Sequence, residues 1–317
     1  MDRTSWPRRL ARAAAALALV VVVTFLFIHL VPGDPGRAIL GPQASKAAVN
    51  AMDANLGQND PILTQFWHYL SGVLRGDLGD SVAQGVPVTS LMSGRVVPTV
   101  ALIVYSALLA IVFTVPAAML AAAKRGSYID HLVRVVPLLG LGLPAFWFAL
   151  VLIQLLAVRS GIFPTGGYGQ GLLEHVRSLT LPALVTAVSI VPFTVQSLRT
   201  AMVDAFESDY VAAARARGVP ARRVLMRHVF RNGCIPAVVV LGLNVGWLVG
   251  NTLVVEKVFA IPGIGSLLID STLSRDFPVV QGLALVVAVM VIVTNLLTDA
   301  ARIRLDPRLR ISTAVTR

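Results

Sequence analysis

The stretch PTVALIVYSALLAIVFTVPAAMLAAAKR, residues 98–125, decides the fold class of this chain. It carries no charged residue until Lys124 and Arg125 close it. A helix crosses about 30 Å of hydrocarbon in roughly 20 residues. The stretch is therefore long enough to span a membrane, and its composition indicates a transmembrane helix.

Five more apolar runs of similar length flank this one on both sides. The chain of 317 residues is 56% hydrophobic and only 14% charged, whereas an ordinary soluble domain has about 25% charged residues. The sequence therefore predicts an all-α integral membrane protein with six transmembrane helices. The six predicted spans lie at about residues 10–30, 98–123, 135–158, 179–198, 235–255 and 279–300.

The first run has a second interpretation, because Arg8, Arg9 and Arg12 give it the positive start of a signal peptide. Its apolar stretch exceeds the 7–15 residues of a typical signal core, and no small-residue cleavage site follows it. We therefore expect a retained first helix and not a secretory or twin-arginine signal.

The positive charges of the predicted loops set the expected orientation. Of the 27 lysines and arginines, 19 fall on the side of the N-terminus and eight on the other side. Loops rich in lysine and arginine stay in the cytoplasm. The sequence therefore predicts that the N- and C-termini are both cytoplasmic.

The loop at residues 31–97 is too long to be a simple connection. Alanines and Met52 mark one amphipathic stretch between Ala44 and Gly57. Asp60 and Pro61 begin a second stretch, a suitable cap and first-turn pair, and it continues to Gly76. We interpret these helices as a lid over the extracytoplasmic mouth, with a platform for a solute-delivering partner as the alternative.

The loop at about residues 199–233 is the most informative segment. Residues 209–217, DYVAAARAR, predict a short helix that ends at Gly218, and Pro220 opens a second helix through Arg222 and Arg223. Alanines followed by glycine give a small, flat face that a groove in another protein can approach closely. Two alternatives are a basic helix on anionic lipid and a helix-turn-helix for nucleic acid. Because both ends of the loop are tethered to spans, we expect no nucleic acid partner, while contact with membrane lipid is compatible with docking.

These residues resemble the coupling loop of permease subunits in binding-protein-dependent ABC importers. The family pattern is a Glu-Ala-Ala helix, then glycine, then proline; here it is carried by Ala212, Ala213, Ala214, Gly218 and Pro236, with Ala212 in place of the glutamate. The resemblance implies that this loop seats in a groove of an ATPase. The coupling residues it implies are Tyr210, Ala212, Ala213, Ala214, Arg215, Gly218, Arg222, Arg223 and Pro236.

Within that superfamily the chain is most similar to the first permease of the dipeptide, oligopeptide and nickel systems. The match rests on the order and spacing of several segments. They are HLVPGDP at 29–35, GDLGDS at 76–81, FPTGG at 163–167, LTLP at 179–182, VEKVFAIPGIG at 255–265 and RDFPVVQG at 275–282.

The resemblance implies a type I ABC importer permease in a bacterial or archaeal plasma membrane. Its expected partners are a second, similar permease, two cytoplasmic ATP-binding subunits and an extracytoplasmic solute-binding protein. The predicted divisions of the chain are a tail and first helix (1–30), an extracytoplasmic loop (31–97) and a five-helix permease core with the coupling loop (98–317). Peptides are the expected solute, with nickel chelates, haem or another small solute as alternatives.

Two further groups of residues are candidate sites. In the fifth span Gly242, Gly246 and Gly250 recur every four residues beside Asn244 and Asn251, and they predict either packing inside the bundle or a seam with the partner permease that lines the pathway. By resemblance the turn after this span belongs to an outer gate near the solute-binding protein. Its residues are Glu256, Pro262, Gly263, Gly265, Arg275 and Asp276, and the charged ones have the alternative of simple solvation.

Motifs that are missing from the sequence argue against several classes of function. No Gly-x-x-x-x-Gly-Lys-Ser/Thr loop occurs, so we expect ATP and Mg²⁺ to be bound by partner subunits and no cofactor by this chain. One cysteine and five scattered histidines predict no metal site. The middles of the spans lack ionisable residues, which argues against a proton-coupled secondary carrier. That carrier and a membrane scaffold remain the alternatives of a different class.

Overall fold

The computed structural model describes residues 5–30, 43–55 and 60–305. Helices dominate these ranges, and no β-strand forms within them apart from a lone antiparallel bridge between Asp80 and Pro87. The all-α prediction is confirmed for the described part of the chain.

Fourteen α-helices are described, two of which continue into short π-helical segments. They are α1 (Ser5–Leu30), α2 (Lys46–Asn55), α3 (Ile62–Arg75), α4 (Val88–Met92), α5 (Val96–Ala123), α6 (Tyr128–Leu141), α7 (Ala145–Leu152, then π-helical over Ile153–Arg159), α8 (Leu172–Val188), α9 (Val191–Phe206), α10 (Asp209–Ala216), α11 (Ala221–Arg223, then π-helical over Val224–Phe230), α12 (Arg231–Val258), α13 (Ile264–Leu273) and α14 (Phe277–Leu305).

Four helical stretches of the described chain are long and apolar enough to cross a membrane on their own. They are Pro7–Leu26, Val88–Ala123, Ala221–Val258 and Phe277–Ala301. Two bent helix pairs, α6 with α7 and α8 with α9, bring the number to six when each pair is one span.

The bends are a departure from the two continuous spans that the sequence predicts there. Helices α6 and α7 meet at 102°, and α8 and α9 at 59°. Pro144 caps the start of α7, and the residue before a proline is disfavoured in helical geometry, so the helix stops before it. Pro192 lies at the start of α9 and has no N–H to donate to the turn before it, which favours the break at Ser189 and Ile190.

By its internal packing the described chain forms two compact units. One unit contains residues 98–262 and 291–305, and the other contains residues 5–30, 43–55, 60–97 and 263–290. In the first unit one apolar cluster includes Leu198, Met202, Val211 and Val229, and a second includes Leu102, Leu181 and Phe259. Helix α10, which carries the candidate coupling site, packs on the first cluster.

The second unit has a core of its own. Val88 and Met92 of α4 pack with Ile264 of α13 and with Val279 and Leu283 of α14. Helix α3 begins after Pro61 and ends at Gly76, whose φ of 79° is left-handed, as the sequence predicts for this amphipathic stretch. The predicted end of the preceding stretch at Gly57 lies outside the described residues.

Candidate functional site

Helix α10 is a short helix with a defined start and stop. Ser208 is its N-cap in an extended conformation. Asp209 places a negative charge in the first turn, where its interaction with the helix dipole stabilises the helix. The backbone N–H of Gly218 donates to the carbonyl of Arg215 at 2.9 Å, and that of Val219 donates to Ala214 at 3.1 Å. The stop requires a left-handed residue, and Gly218 has φ of 75°. The helix ends one residue before the predicted limit at Arg217.

Two opposite faces of α10 serve different purposes. Val211 and Ala214 are buried in the apolar cluster beneath the helix. Ala212, Ala213 and Ala216 are exposed on the other side, since residues three and four apart share a face. The exposed face is therefore a flat alanine surface. Ala214, which the sequence places on the docking surface, faces the core, and Ala216, which the sequence analysis omits, takes part in the surface.

Cationic and aromatic side chains surround the alanine face. The guanidinium of Arg215 lies 5.4 Å from the ring centre of Phe206, a cation–π contact. Tyr210 is partly exposed, and its hydroxyl accepts a hydrogen bond from Asn232 Nδ2 at 3.1 Å. Arg222 and Arg223 are exposed just beyond Gly218. The rim of the surface is positively charged and suits an acidic partner or lipid phosphate.

The second helix of this loop does not end before the fifth span. Residues 221–258 form one continuous helical stretch, so Pro236 lies inside α12 with its ring exposed. The π-helical segment Val224–Phe230 turns Val224 and Val229 into the cluster under α10. The base of the fifth span therefore packs against the same apolar cluster as α10.

A buried ion pair fixes α9, the helix that leads into α10. Arg199 donates from Nε and Nη2 to the two carboxylate oxygens of Asp130, both at 2.7 Å. Asp130 is 1% exposed and also accepts from the backbone N–H of Gly126 at 3.0 Å. Such a two-pronged pair fixes orientation as well as distance. It ties α9 to the first turn of α6.

Asp130 is a site residue that the predictions from sequence do not include, although a local signal for its position exists. Ser127 caps α6, and its hydroxyl accepts from the backbone N–H of Asp130 at 3.4 Å. A serine followed three residues later by an acid is the capping-box pattern. That pattern places the carboxylate at a helix start, but only the fold brings Arg199 to it.

The glycine row of α12 divides into two kinds of position. A Cβ on Gly242 would lie 2.1 Å from Thr298, and a Cβ on Gly246 would lie 3.3 Å from Asn295. These two glycines therefore pack against α14 of the same chain. A Cβ on Gly250 would meet no described atom within 4 Å.

The two asparagines of α12 also differ. Asn244 donates to the carbonyl of Val240 in its own helix at 2.8 Å. Asn251 donates to Ser189 Oγ at 3.1 Å, and Ser189 lies at the break between α8 and α9. Asn251 therefore supplies a polar partner at the point where the fourth span is interrupted.

Glu256 is fully buried at the end of α12. Thr99 of α5 donates to its Oε1 at 2.6 Å. The following turn holds Ala260 at φ of 50°, and Gly166 approaches it so closely that a Cβ there would lie 2.4 Å from the carbonyl oxygen of Phe259. The backbone N–H of Gly167 donates to that same oxygen at 2.8 Å. Glu256 thus lies in the last turn of α12, directly before a tightly packed turn.

Asp276, in the second unit, is 2% exposed. Ser81 Oγ donates to its Oδ2 at 2.5 Å, and the backbone N–H of Val82 donates to Oδ1 at 3.1 Å. Arg275 precedes it with φ of 57°. Asp276 therefore anchors the turn at residues 80–87, and its carboxylate is buried within the chain.

The remaining predicted outer-gate residues occupy the start of α13. Gly263 is the N-cap of α13, and Gly265 is buried in its first turn. Pro262 is exposed. The contact of this region with a solute-binding protein stays a prediction.

Comparison with known proteins matches nearly the whole chain. The family described as "Binding-protein-dependent transport system inner membrane component" matches residues 114–311, and its N-terminal companion matches residues 6–102. Glutathione transport system permease proteins GsiC of Escherichia coli K12 and of Shigella boydii serotype 4 are each 38% identical over 303 residues, covering 96% of this chain and 97% of theirs.

A solved structure shares the fold at lower sequence similarity. A chain from the inward-facing MetNI methionine ABC transporter matches with a TM-score of 0.57 and 15% identity, covering 68% of this chain and 96% of its own length. At that identity the match concerns the fold alone, and the fold is that of a type I ABC importer permease.

Proposed function

Since the chain belongs to the binding-protein-dependent transport system inner membrane components, we propose that it is one of two permease subunits of an ATP-driven importer of small peptides. The observation that carries the coupling role is the flat alanine face of α10 above a fixed apolar cluster. This face seats in a groove of a cytoplasmic ATP-binding subunit, one for each permease of the pair. This chain binds no ATP, Mg²⁺ or other cofactor of its own.

The packing around α10 supports a mechanism for transmitting the ATPase movement. Val211 and Ala214 join α10 to residues of α9 and of the π-helical segment before α12. The Asp130–Arg199 pair joins α9 to α6. A pull on α10 therefore moves the cytoplasmic ends of the third, fourth and fifth spans together, the rigid-body element that alternating access requires.

The orientation in this proposal follows the charge distribution. With six spans, α10 lies on the side of the N-terminus, where 19 of the 27 lysines and arginines fall. The positive-inside tendency makes this side cytoplasmic. The ATP-binding subunits then meet the alanine face, and the solute-binding protein meets the other side.

The second permease packs against an open face of α12. Leu243, Trp247 and Val254 are exposed on one side of this helix together with Gly250. A tryptophan in the middle of a span departs from the usual belt of aromatic residues at the membrane surface, and a small residue beside it lets another helix approach. Gly250 and Trp247 are thus the proposed seam, while Gly242 and Gly246 serve packing within the chain.

A small peptide is the solute class that the relatives favour. Their name assigns them to glutathione transport, and glutathione is a tripeptide-like molecule. Asn251, beside the broken fourth span, offers an amide group suited to peptide hydrogen bonds. Nickel chelates and haem are the alternatives to be tested as solutes.

Purification from the native membrane, followed by reconstitution, tests the proposal. We expect a second six-span subunit, ATPases with phosphate-binding loops and a solute-binding protein to copurify. Proteoliposomes of this complex should accumulate glutathione or dipeptides only with ATP and the binding protein. Uptake driven by a proton or sodium gradient without ATP would contradict the importer, and uptake of a nickel chelate but no peptide would contradict the solute class.

A further inference from the structure

Helix α3 lies against the part of α1 that belongs to the first span. Tyr69 forms a 3.1 Å hydrogen bond with Thr24, and Phe25 packs edge-on against Phe66 with ring centres 5.2 Å apart. Thr24 and Phe25 fall inside the apolar window Pro7–Leu26 of that span. The middle of α3 therefore packs against the outer part of the first span, within two residues of the end of its described apolar window.

A second contact, from the last span, reaches the same residue of α1. Gln281 Nε2 donates to the carbonyl of Thr24 at 2.6 Å. Gln281 lies in the first turns of the last span, Phe277–Ala301. The start of the last span and the middle of α3 therefore contact the same turn of α1, near the end of its described apolar window.

The exposed side of α3 is apolar, although this helix belongs to the loop that follows the first span. Leu63, Trp67 and Leu74 are spaced four and seven residues apart and so share one side of the helix. Their exposed fractions are 78%, 67% and 79%, respectively. These three residues are called the α3 stripe below.

Beside the stripe α3 carries exposed polar residues as well as the exposed Ile62, and it is uncharged until the helix ends. Thr64 and His68 are exposed away from the stripe, and no lysine, arginine, aspartate or glutamate occurs between Ile62 and Leu74. Arg75 adds one positive charge in the last turn. An amphipathic helix with tryptophan and leucine on one side and a terminal basic residue fits the interface of a phospholipid bilayer.

Helix α1 also exposes apolar side chains. Leu19, Val23 and Leu26 are exposed on α1, within or at the end of the apolar window. In a membrane such side chains face lipid. The α3 stripe belongs to the same compact unit and continues that lipid-facing character.

We propose that α3 is an interfacial helix whose stripe of Leu63, Trp67 and Leu74 is inserted among the lipid chains of the extracytoplasmic leaflet. The helix then anchors the extracytoplasmic loop to the bilayer and leaves its polar side to water. This assignment rests on the membrane-spanning fold and is independent of the transported solute.

Spin labels read by two relaxation agents test this placement. Because Cys234 is the single cysteine of the chain, a Cys234→Ser background gives unique labelling sites. Labels are placed on the stripe through Leu63→Cys and Leu74→Cys and on the polar side through the matched Thr64→Cys and His68→Cys. The assembled complex is measured in phospholipid nanodiscs with oxygen, which concentrates in hydrocarbon, and with chromium oxalate, which stays in water.

We expect the ratio of oxygen to chromium accessibility to be about tenfold higher on the stripe than on the polar side, because hydrocarbon excludes the aqueous agent. Stripe labels that are fully accessible to chromium oxalate would overturn the proposal, since the stripe would then lie in water. Stripe labels that are shielded from both agents would also overturn it, because another protein would cover the stripe. Restored accessibility on omission of the solute-binding protein would identify that protein as the cover.

Discussion

Helix α10, the proposed coupling helix, and the segments around Glu256 and Asp276 place their polar residues in opposite ways. Around α10 the arginines and Tyr210 lie at the surface, while Val211 and Ala214 are buried. Glu256 in the first unit and Asp276 in the second are each buried, and each accepts a hydrogen bond from a hydroxyl group of its own unit. Both α10 and these segments carry residues that the sequence assigns to partner contacts. The arginines around α10 point outward, whereas Glu256 and Asp276 are buried. Of the residues predicted near these two carboxylates, only Pro262 and Arg275 are exposed.

This difference teaches how far residue type indicates a role. A regular helix has two faces set by its 3.6-residue period, so its buried and exposed residues can be separated from the pattern. Asp276 lies in a turn, where no such period applies and a carboxylate is equally suited to a partner and to nearby N–H and O–H groups. Glu256 lies in the last turn of α12, and it is a residue of another helix, Thr99, that binds its carboxylate. The variants below test whether the polar groups in each region hold the chain or contact a partner, from the largest expected effect to the smallest.

Removal of one member of the Asp130–Arg199 pair should have the largest effect. Asp130→Ala leaves a largely buried guanidinium without its carboxylate, and we expect a loss of about 3–5 kcal/mol of stability. Thermal unfolding in detergent, followed by size-exclusion chromatography, measures this loss. The double variant Asp130→Asn/Arg199→Gln should recover much of the stability, because it removes both charges. Equal destabilisation in the single and double variants would contradict a charge-pairing role.

Asp276→Ala should destabilise the second unit by about 1–3 kcal/mol, because Ser81 and the N–H of Val82 lose their acceptor. The matched control is Asp80→Asn, an exposed carboxylate one residue before Ser81. Thermal unfolding distinguishes the two variants. A stable Asp276→Ala protein that assembles normally but loses only its affinity for the solute-binding protein would show instead that this carboxylate is a docking charge.

For substitutions at Gly218, we expect the loss of uptake to depend on whether the new residue tolerates a positive φ, and not on the size of its side chain. No described atom lies within 4 Å of a Cβ placed there, but the left-handed conformation costs a β-branched residue about 1–2 kcal/mol. Gly218→Val should therefore lower peptide uptake and the coupling of ATP hydrolysis to solute while leaving membrane insertion intact. Gly218→Asn is the matched control, because asparagine tolerates this conformation. Normal uptake by Gly218→Val would remove the coupling role of this turn.

Ala212→Glu should have the smallest effect on the fold. The new carboxylate lies three residues before Arg215 on an exposed surface, and such helix pairs contribute about 0.2–0.5 kcal/mol. We expect unchanged thermal unfolding and a change confined to the affinity for the ATP-binding subunits, measured by titration of those subunits into the permease pair. A large drop in thermal stability would mean that position 212 is packed inside the protein.

Much of the fold was predictable from local signals, and the remainder depends on tertiary contacts. Runs of apolar residues predict the membrane spans, and Gly76 and Gly218 predict helix ends. The breaks near Pro144 and Pro192 have a local cause, but proline also occurs within continuous helices such as α5, so proline alone does not predict a break.

The candidate site shows the same division. The position of α10 and its stop at Gly218 follow from the sequence, whereas the inward side of Ala214 depends on which face meets the apolar cluster. From the sequence Arg199 is predicted to be a charged loop residue. Only the fold shows that it pairs with Asp130, 69 residues away. Long-range pairs of this kind leave no periodic signal in a single sequence.

Photo-crosslinking from α10 tests the central claim most directly. A benzoylphenylalanine at Ala213, on the exposed alanine face, is compared with one at Leu172, which is 82% exposed at the start of α8. In the assembled complex we expect Ala213 to crosslink to an ATP-binding subunit and Leu172 not to do so. An intact complex in which Ala213 gives crosslinks to lipid or to no subunit would contradict the assignment of α10 as the seat of the ATPase.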